Sequence, residues 1–289
     1  MSYVLSDDQV RRATQKLEFF GVPLDDYLTI DETEFRARAR ERSHHTLEIQ
    51  LYSSLYRDRP LSPGQADPAK LLLNLWEQRG IPTDEPDYRY IATLISLADK
   101  DVAGEKVDLS QFAPRPVSEE EGDLFVTILK QRRSVREFTD EEVPDALIDR
   151  VLDAGLWAAH SCNLQSVRYL VIRERTSPGL FKGSDVPGGP VHLVVLQDER
   201  VYRANPYNPV RNRLLDAGAA AQNICLAAHA LGLEGVWLTF NDAIKQRLVE
   251  RFELPAEIQP VTYVDVGYGD QTPAAPQRIG VDEVTLARA

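Results

Sequence analysis

The sequence contains few cysteines and no long hydrophobic run. Its two cysteines, Cys162 and Cys225, do not form a CxxC pair, and two cysteines cannot supply the disulfide framework of a small secreted domain. No apolar run approaches the ~18 residues that a membrane-spanning helix needs, and the N-terminal segment MSYVLSDDQVRR contains no apolar signal region. These absences predict a soluble protein of the cytoplasm.

Basic residues are also in the minority. The chain of 289 residues has 33 lysines and arginines against 45 aspartates and glutamates. Because phosphate backbones are bound by a basic face, this balance argues against general nucleic-acid binding. With 43% hydrophobic and 27% charged residues, the composition is that of a globular protein, and the length allows one large domain or two modest ones at roughly 100–200 residues per domain.

The N-terminal part of the chain has the pattern of helices, with no convincing strand. Ser6 and Gln9 form a capping-box start, and the run from Asp31 to Arg57 has leucines spaced by four in its later half. The proline-containing segment QFAPRPVSEEEGD then has the composition of a linker. We therefore predict an all-helical N-terminal region, residues 1–115, followed by a second domain over residues 116–289.

The second part of the chain mixes helical and strand patterns. Short β-branched runs predict strands, and a helix rich in small residues, AGAAAQNICLAAHALG, ends at Gly232. The predicted strands are Val167–Ile172, Val191–Leu196, Val236–Phe240 and Val261–Val266. Because strands and helices intermix, this part belongs to the α+β or the α/β class.

A cluster of basic residues stands out against the acidic composition. Arg132, Arg133 and Arg136 flank Ser134 in QRRSVREF, where a predicted helix gives way to a loop. Three guanidiniums and a hydroxyl at one place can clamp a phosphate through charge-assisted bidentate hydrogen bonds. Cations are also favourable at any helix C-terminus, so a solvated helix end is the alternative.

Two amide side chains precede the first predicted strand. Asn163 and Gln165 lie in SCNLQSVRYLVI, where their donors and acceptors can read the edge of a planar heterocycle. Ordinary turn chemistry at a helix-to-strand junction is the alternative.

Taken together, four segments in this order resemble the FMN-dependent nitroreductase family. They are RRSVREF, WAAHSCNLQSVRYLVI, DAGAAAQNICLAAHALGLEGVW and GYGDQTPAAPQR, and the resemblance covers about residues 119–286. It implies an α+β fold with a mixed sheet flanked by helices, preceded here by the all-helical region. It also implies FMN as the cofactor, NAD(P)H as a possible electron donor and a C2 homodimer in which each site is built from both chains.

The resemblance also implies which residues hold the phosphate of FMN. Arg132, Ser134 and Arg136 match the family stretch that binds the phosphate and the pyrimidine edge, and Arg133 lies between them. Arg278 matches a basic residue near the C-terminus that joins this clamp.

Further positions match the family's flavin-ring pocket. Asn163 and Gln165 correspond to residues that line the isoalloxazine pocket, and the backbone of Leu238, Thr239 and Phe240 corresponds to the segment that faces flavin N5. In the family a glycine usually stands where this chain has Phe240. This departure concerns the substrate side of the flavin.

Two side chains are candidates for a catalytic role. Thr239 is expected to give N5 a hydrogen bond from its hydroxyl or its backbone N–H. His160 stands where the family has a small residue, and a titratable imidazole at the flavin edge can deliver a proton near neutral pH. A histidine turned outward to solvent is the alternative. Together with His160, the loop from Arg200 to Arg213 is expected to shape the substrate pocket.

The predicted function is therefore that of an FMN-dependent oxidoreductase, which transfers hydride or electrons through flavin N5 to or from a small planar or conjugated molecule. A specialised biosynthetic substrate is favoured by the unusual pocket. A flavin-dependent dehydrogenase or oxidase using dioxygen and a flavin-less partner-binding scaffold are the alternatives. The histidines have no metal-ligand spacing with carboxylates or thiols, so no metal site is expected, and the N-terminal helices are expected to act as a lid or an embracing arm.

Overall fold

The computed structural model describes residues 2–184 and 189–289. The first part of the chain is helical, and the second part surrounds a four-stranded sheet with helices. The helices of the first part are α1 (Asp7–Leu17), α2 (Glu32–Ser43), α3 (Ile49–Arg57), α4 (Asp67–Gln78) and α5 (Pro86–Val102). The described residues of this part contain no strand, which confirms the prediction of a helical N-terminal region.

Local signals set the ends of these helices. Ser6 opens α1 with a capping box: its Oγ accepts a hydrogen bond from the backbone N–H of Gln9 at 3.3 Å, and the Gln9 side-chain oxygen accepts one from the backbone N–H of Ser6 at 3.0 Å. Gly21 closes the following turn with φ = +77°, in the left-handed region that favours glycine. The predicted capping box at Ser6 is therefore confirmed.

Between α2 and α3 the chain makes a π-helical turn, His44–Glu48. The sequence pattern of Asp31–Arg57 predicts uninterrupted helix, so the turn is a difference between expectation and structure. The backbone N–H of Ile49 bonds to the carbonyl of His44, five residues back instead of four. Such turns are rare and occur frequently at functional sites.

The helices of the first part enclose a hydrophobic core of their own. Phe35 and Trp76 are fully buried, with ring centroids 5.7 Å apart. The guanidinium of Arg79 lies 4.6 Å from the centroid of Phe35 and donates hydrogen bonds to the carbonyls of Tyr27 and Ile30 at 2.6 and 2.7 Å. These carbonyls belong to the connection between α1 and α2, so Arg79 ties this connection to α4.

The second part contains the sheet. Its elements are α6 (Glu119–Gln131), α7 (Asp145–Leu156), β1 (Val167–Arg173), β2 (Val191–Asp198), α8 (Glu199–Tyr202), α9 (Arg211–Ala230), β3 (Glu234–Leu238), α10 (Asp242–Arg251), β4 (Ile258–Gly267) and α11 (Val281–Val284). The strand order is β1-β2-β4-β3, and all neighbouring strands pair antiparallel. The parallel component of the expected mixed sheet is the bridge between Ser134 and Gly235. The α+β class is confirmed.

The end of β3 differs from the prediction. The expected strand Val236–Phe240 stops at Leu238. Asn241 caps α10 by accepting a hydrogen bond from the backbone N–H of Ile244 at 2.9 Å, and this cap turns the chain away from the sheet. The ring of Phe240 instead packs on Tyr263, with centroids 4.9 Å apart.

The small residues of α9 lie in the core of the sheet domain. Ala217, Ala220, Ala221 and Ala228 are buried and belong to the same hydrophobic cluster as strands β2 and β4. Small side chains at these positions let the helix backbone approach the sheet closely. With 20 residues α9 is the longest helix of those described, and no helix within residues 2–184 and 189–289 is both long and apolar enough to cross a membrane.

Helix α2 connects the two parts of the molecule. Ala37 of α2 packs with Leu164, Val201, Tyr202 and Ala204 in one buried cluster. Ion pairs surround this contact, among them Arg200–Asp31 at 3.1 Å and Arg203–Glu34 at 3.4 Å. The predicted Arg200–Arg213 loop is shorter in the structure, because its two ends lie in α8 and α9, and its start lies at the surface that α2 covers.

Candidate active site

The RRSVREF segment lies beside the start of β3. Ser134 bridges to Gly235, and the backbone N–H of Val135 donates to the Gly235 carbonyl at 3.2 Å. Gly235 is required at this point, because a Cβ there would lie 2.5 Å from the backbone oxygen of Asp265. The backbone N–H of Arg136 donates to the side-chain oxygen of Gln271 at 3.0 Å. The fold therefore brings together the predicted basic cluster, strand β3 and the GYGDQ segment.

The guanidiniums of this segment have no acidic partners among the residues that the structure describes. Arg132 donates to the carbonyl of Arg133 at 3.4 Å, Arg133 donates to the carbonyls of Lys130 and Arg132, and Arg136 donates to the carbonyl of Ser134 at 3.3 Å. None of the three forms an ion pair with a residue that the structure describes. In a chain with 45 acidic residues, three neighbouring unpaired guanidiniums are unusual, and their donor set suits a phosphate.

Arg278 is also without an acidic partner in the described part of the chain. It follows β4 in the exposed C-terminal segment, and its guanidinium donates to the carbonyl of Gln277 at 3.1 Å. No hydrogen bond or ion pair given for residues 2–184 and 189–289 joins Arg278 to Arg132, Ser134 or Arg136. Its place in the phosphate clamp therefore stays a prediction.

The loop that carries Asn163 and Gln165 has an unusual backbone. Cys162, Asn163 and Gln165 have φ values of 51°, 52° and 55°, in the left-handed region that costs non-glycine residues energy unless the surroundings hold them there. The side chains of Asn163 and Gln165 are bonded to each other at 3.3 Å. Burial raises the pKa of the Cys162 thiol, and the charges of Glu41 and Asp216 add to this shift.

Two buried charged side chains fix this loop. Asp216 is 3% exposed, and its Oδ1 accepts from both the backbone N–H and the hydroxyl of Ser161 at 3.1 and 3.0 Å. Its Oδ2 accepts from the Tyr202 hydroxyl at 2.8 Å. From the other side, Arg40 of α2 donates to the carbonyl of Leu164 at 2.8 Å. These bonds hold the left-handed backbone in place.

Sequence reasoning did not identify Asp216 and Arg40 as site residues. Asp216 had a recognisable signal, since it is an acidic residue among the small residues of a helix that the composition marks as buried. Arg40 had none, because its partner Leu164 lies 124 residues away in sequence.

The three residues predicted to face flavin N5, Leu238, Thr239 and Phe240, lie in different environments. The carbonyl of Leu238 accepts from the Thr262 hydroxyl at 2.5 Å, so it belongs to the sheet. Phe240 points its ring into the core. Thr239 is exposed, and the backbone role predicted for all three residues stays a prediction.

His160 lies inward, so the alternative of a ring turned to solvent is wrong. Its Nε2 is buried and has no hydrogen-bond partner among the described residues. Burial lowers the pKa of His160, although the nearby charge of Asp216 opposes the shift. The ring is therefore neutral at pH 7, and Nε2 is free to accept a proton or a hydrogen bond if it carries no hydrogen.

We predict that His160 makes the folded protein sensitive to mild acid. In the unfolded chain the imidazole protonates near its ordinary pKa of about 6.5, whereas the folded ring resists protonation to lower pH. Below pH ~6.5 the unfolded state therefore binds more protons, and stability falls as the pH falls towards the lowered folded value. Urea unfolding at pH 7 and pH 5 should show a smaller loss for His160→Asn than for the wild type. Equal losses would contradict the assignment.

No group of three or more histidine, cysteine, aspartate or glutamate residues suited to a metal ion occurs within the described ranges. The polar groups described above are the guanidiniums around Ser134 and the amide side chains of Asn163 and Gln165.

The chain is similar in sequence to proteins of one known family. The sequence model of the nitroreductase family matches residues 129–182 and 178–268. The chain is 30% identical over 144 residues to a protein of Archaeoglobus fulgidus named as a candidate NADH dehydrogenase/NAD(P)H nitroreductase, covering 47% of this chain and 80% of the relative. It is 27% identical over 176 residues to FMN reductase (NAD(P)H) of Bacillus subtilis, covering 54% of this chain and 70% of the relative.

Among solved structures, nitroreductase A of Vibrio parahaemolyticus superposes with a TM-score of 0.51 at 25% identity. The superposition covers 57% of this chain and 75% of that structure. The matches to the family model and to the two relatives therefore each concern about half of the chain, and the family model begins after the N-terminal helices.

Proposed function

Because this chain belongs to the nitroreductase family, we propose that it is an FMN-dependent oxidoreductase that transfers hydride or electrons between NAD(P)H and a small planar or conjugated substrate. The relative named FMN reductase (NAD(P)H) supports both the cofactor and the donor. A specialised substrate, as opposed to a broad range of acceptors, is part of the proposal. The N-terminal region and the inward His160 support it.

The observation that carries this proposal is the unpaired arginine cluster. Arg132, Arg133, Arg136 and Arg278 lack acidic partners among the described residues, in a chain with 12 more acidic than basic residues. A dianionic phosphate satisfies such guanidiniums through bidentate, charge-assisted hydrogen bonds. The residues present thus fit the phosphate end of FMN, and the Ser134 hydroxyl adds a further donor.

The roles of the other residues follow from their chemistry. Bound FMN supplies a ring that accepts and returns hydride. Asn163 and Gln165 supply amide donors and acceptors to the edge of this ring, and Asp216 keeps their loop in position. Thr239 would donate a hydrogen bond at the N5 side, and His160 would relay to the reduced substrate a proton taken up from water.

We also place the boundary between two domains near residue 115. The hydrophobic core of the first part draws its buried residues from Ala13 to Ala98, and the cores of the sheet domain draw theirs from Val143 to Val266. The first domain then acts as an arm that braces the Asn163 loop through α2. A cytoplasmic location completes the proposal, supported by the free thiols of Cys162 and Cys225.

A homodimer is the assembly that we propose. Within the described residues, no hydrogen bond or ion pair joins the arginine cluster to the Asn163 loop, so two chains can each supply one half of a site. Helix α6 buries no residue of its own. Large apolar side chains are exposed on α6, at the end of α7 and at the start of α9: Leu124, Phe125, Leu156, Trp157, Leu214 and Leu215. Exposed large apolar side chains in such number support an interface.

The cofactor proposal is tested by colour and by ligand comparison. The purified protein should absorb in the flavin bands, and heating should release FMN identifiable by its mass. Because the phosphate clamp carries the proposal, FMN should bind roughly a hundredfold more tightly than riboflavin, which lacks the phosphate. A colourless protein that takes up neither flavin would overturn the proposal.

The dimer proposal predicts the mass of the assembly in solution and predicts that a charged interface variant becomes a monomer. Light scattering should give about twice the 32.5 kDa of one chain. The double substitution Phe125→Glu and Leu215→Glu places charges in the apolar surface and should yield a monomer that has lost FMN. Val102→Glu, at an exposed position of α5, serves as the control and should remain a dimer. A wild-type monomer that retains FMN would show that the N-terminal domain completes the site within one chain.

A further inference from the structure

A cavity of about 610 Å³ lies between the N-terminal helices and the loop that follows α8. It lies outside the residues assigned to FMN. Its walls include Phe19, Phe20, Arg42 and His45 from the first domain and Asn205 and Tyr207 from the second. A volume of this size suits a small organic molecule.

Arg42 is the distinctive group in this cavity. Its side chain is 8% exposed, and its Nε is paired with the carboxylate of Glu41. Its two terminal nitrogens have no hydrogen-bond partner in the part of the chain that the structure describes. Neither nitrogen is among the fully buried atoms of the described residues that lack a partner, so both keep contact with solvent in the cavity. The free edge of a planar guanidinium matches a carboxylate, which it binds through two parallel hydrogen bonds.

The charge balance of the cavity leaves room for an anion. Glu41 is fully buried, and besides Arg42 its carboxylate contacts Asn205 Nδ2 at 2.8 Å and His45 Nδ1 at 3.0 Å. Its charge is thus engaged by its neighbours. Lys16 lies on the wall of the same cavity and forms no ion pair with any described residue. An incoming carboxylate therefore meets two cationic groups.

One part of the wall is an open cluster of aromatic rings. Phe19 and Tyr207 are 68% and 79% exposed although they belong to one cluster of rings. The centroids of Phe19 and Phe20 are 5.1 Å apart, and those of Phe20 and Tyr207 are 5.8 Å apart. The guanidinium of Arg42 lies 4.3 Å from the centroid of Phe20. Rings exposed in a concave site gain contact area and stacking from an aromatic ligand.

The backbone next to Arg42 is also irregular. The π-helical turn His44–Glu48 begins two residues after it, and it gives the cavity the side chain of His45. Glu41 and Arg42 lie near enough to Cys162 to influence the ionisation of its thiol. The cavity therefore adjoins the loop that carries Asn163.

We propose that this cavity binds a small aromatic carboxylate, held by the free edge of Arg42 and by Lys16 between the rings of Phe19, Phe20 and Tyr207. That this ligand is the substrate of the flavin reaction rests on the function proposed above. The binding itself does not depend on that function. The N-terminal domain is then the part of the molecule that selects the substrate.

Calorimetry with 4-nitrobenzoate tests the proposal, with the neutral isostere 4-nitrobenzamide and inorganic phosphate as comparison ligands. We expect 4-nitrobenzoate to bind the purified full-length protein at least tenfold more tightly than either. Equal affinity for the amide would overturn the role of the carboxylate, and equal affinity for phosphate would overturn the role of the rings. If the substrate assignment is right, 4-nitrobenzoate also perturbs the visible flavin spectrum with the same Kd. Binding without that perturbation would support the proposed site and would overturn the assignment of the ligand as the substrate of the flavin reaction.

Matched variants locate the binding. Arg42→Lys keeps the charge beside Glu41 but loses the planar edge, and it should weaken 4-nitrobenzoate at least tenfold. Lys16→Gln and Phe19→Ala alter exposed positions, where folding is not at risk, and each should weaken binding severalfold. Lys106→Gln and Phe112→Ala, exposed residues outside the cavity wall, should leave the affinity unchanged. If Arg42→Lys and Lys16→Gln each bound 4-nitrobenzoate with wild-type affinity, the proposed site would be wrong. A colourless protein that still binds the ligand would overturn only the flavin proposal.

Discussion

Arg132→Ala combined with Arg278→Ala should yield a protein that is purified without FMN. Losing one charge-assisted phosphate contact costs on the order of 1.5–3 kcal/mol, or roughly ten- to over a hundredfold in affinity. If the two contacts are independent, their effects add in free energy, so the double variant should bind FMN roughly a hundred- to ten-thousandfold more weakly. Fluorescence titration of the apoprotein with FMN measures both single variants and the pair.

The control for this experiment is Arg89→Ala, which removes an exposed arginine of α5 and should leave FMN affinity unchanged. Unfolding curves of all variants should coincide in the absence of FMN, since none of the four predicted clamp arginines forms an ion pair with a described residue. Unchanged cofactor content in the double variant would show that the phosphate lies elsewhere. If only Arg132→Ala weakened FMN binding, Arg278 would not belong to the phosphate clamp.

Interactions between residues that are close in sequence were sufficient to predict much of the fold. The capping box at Ser6 depends on a residue three positions away, and the strand Val191–Leu196 depends on a run of β-branched neighbours. Both were predicted, because the interactions that decide them lie within a few residues. The end of β3 was predicted two residues too late, because the cap at Asn241 and the packing of Phe240 on Tyr263 compete with strand propensity.

The site was predictable where its chemistry is contiguous in sequence. QRRSVREF places its arginines within five positions, so their shared environment could be anticipated. The bracing of the Asn163 loop could not, because Arg40 and Leu164 are brought together only by the packing of α2 on the sheet domain. The unpaired edge of Arg42 is a property of the folded environment, because the cavity wall around it is assembled from α1, α2 and the loop after α8.

A buried pair in the sheet should give the largest effect on stability. Asp265 of β4 lies opposite His192 of β2, and both residues are fully buried. His192 Nδ1 lies 2.5 Å from Asp265 Oδ1, and the imidazole stacks on the Phe181 ring at 3.8 Å between centroids. Glu174 lies at the opposite edge of the imidazole, with its Oε2 3.3 Å from His192 Nε2.

Asp265→Ala should lower the free energy of unfolding by about 3 kcal/mol. A hydrogen bond to a charged group contributes about 1.5–3 kcal/mol, and breaking a buried ion pair costs about 3–5 kcal/mol. The expected loss lies where these two ranges meet. Asp265→Asn keeps an oxygen opposite the imidazole and should lose less, and Asp153→Ala at an exposed position of α7 should change stability by no more than about 0.5 kcal/mol. Urea unfolding measures all three. A loss below 1 kcal/mol in Asp265→Ala would mean that the desolvation of the carboxylate, which raises the pKa of Asp265, offsets most of what its bond to His192 contributes.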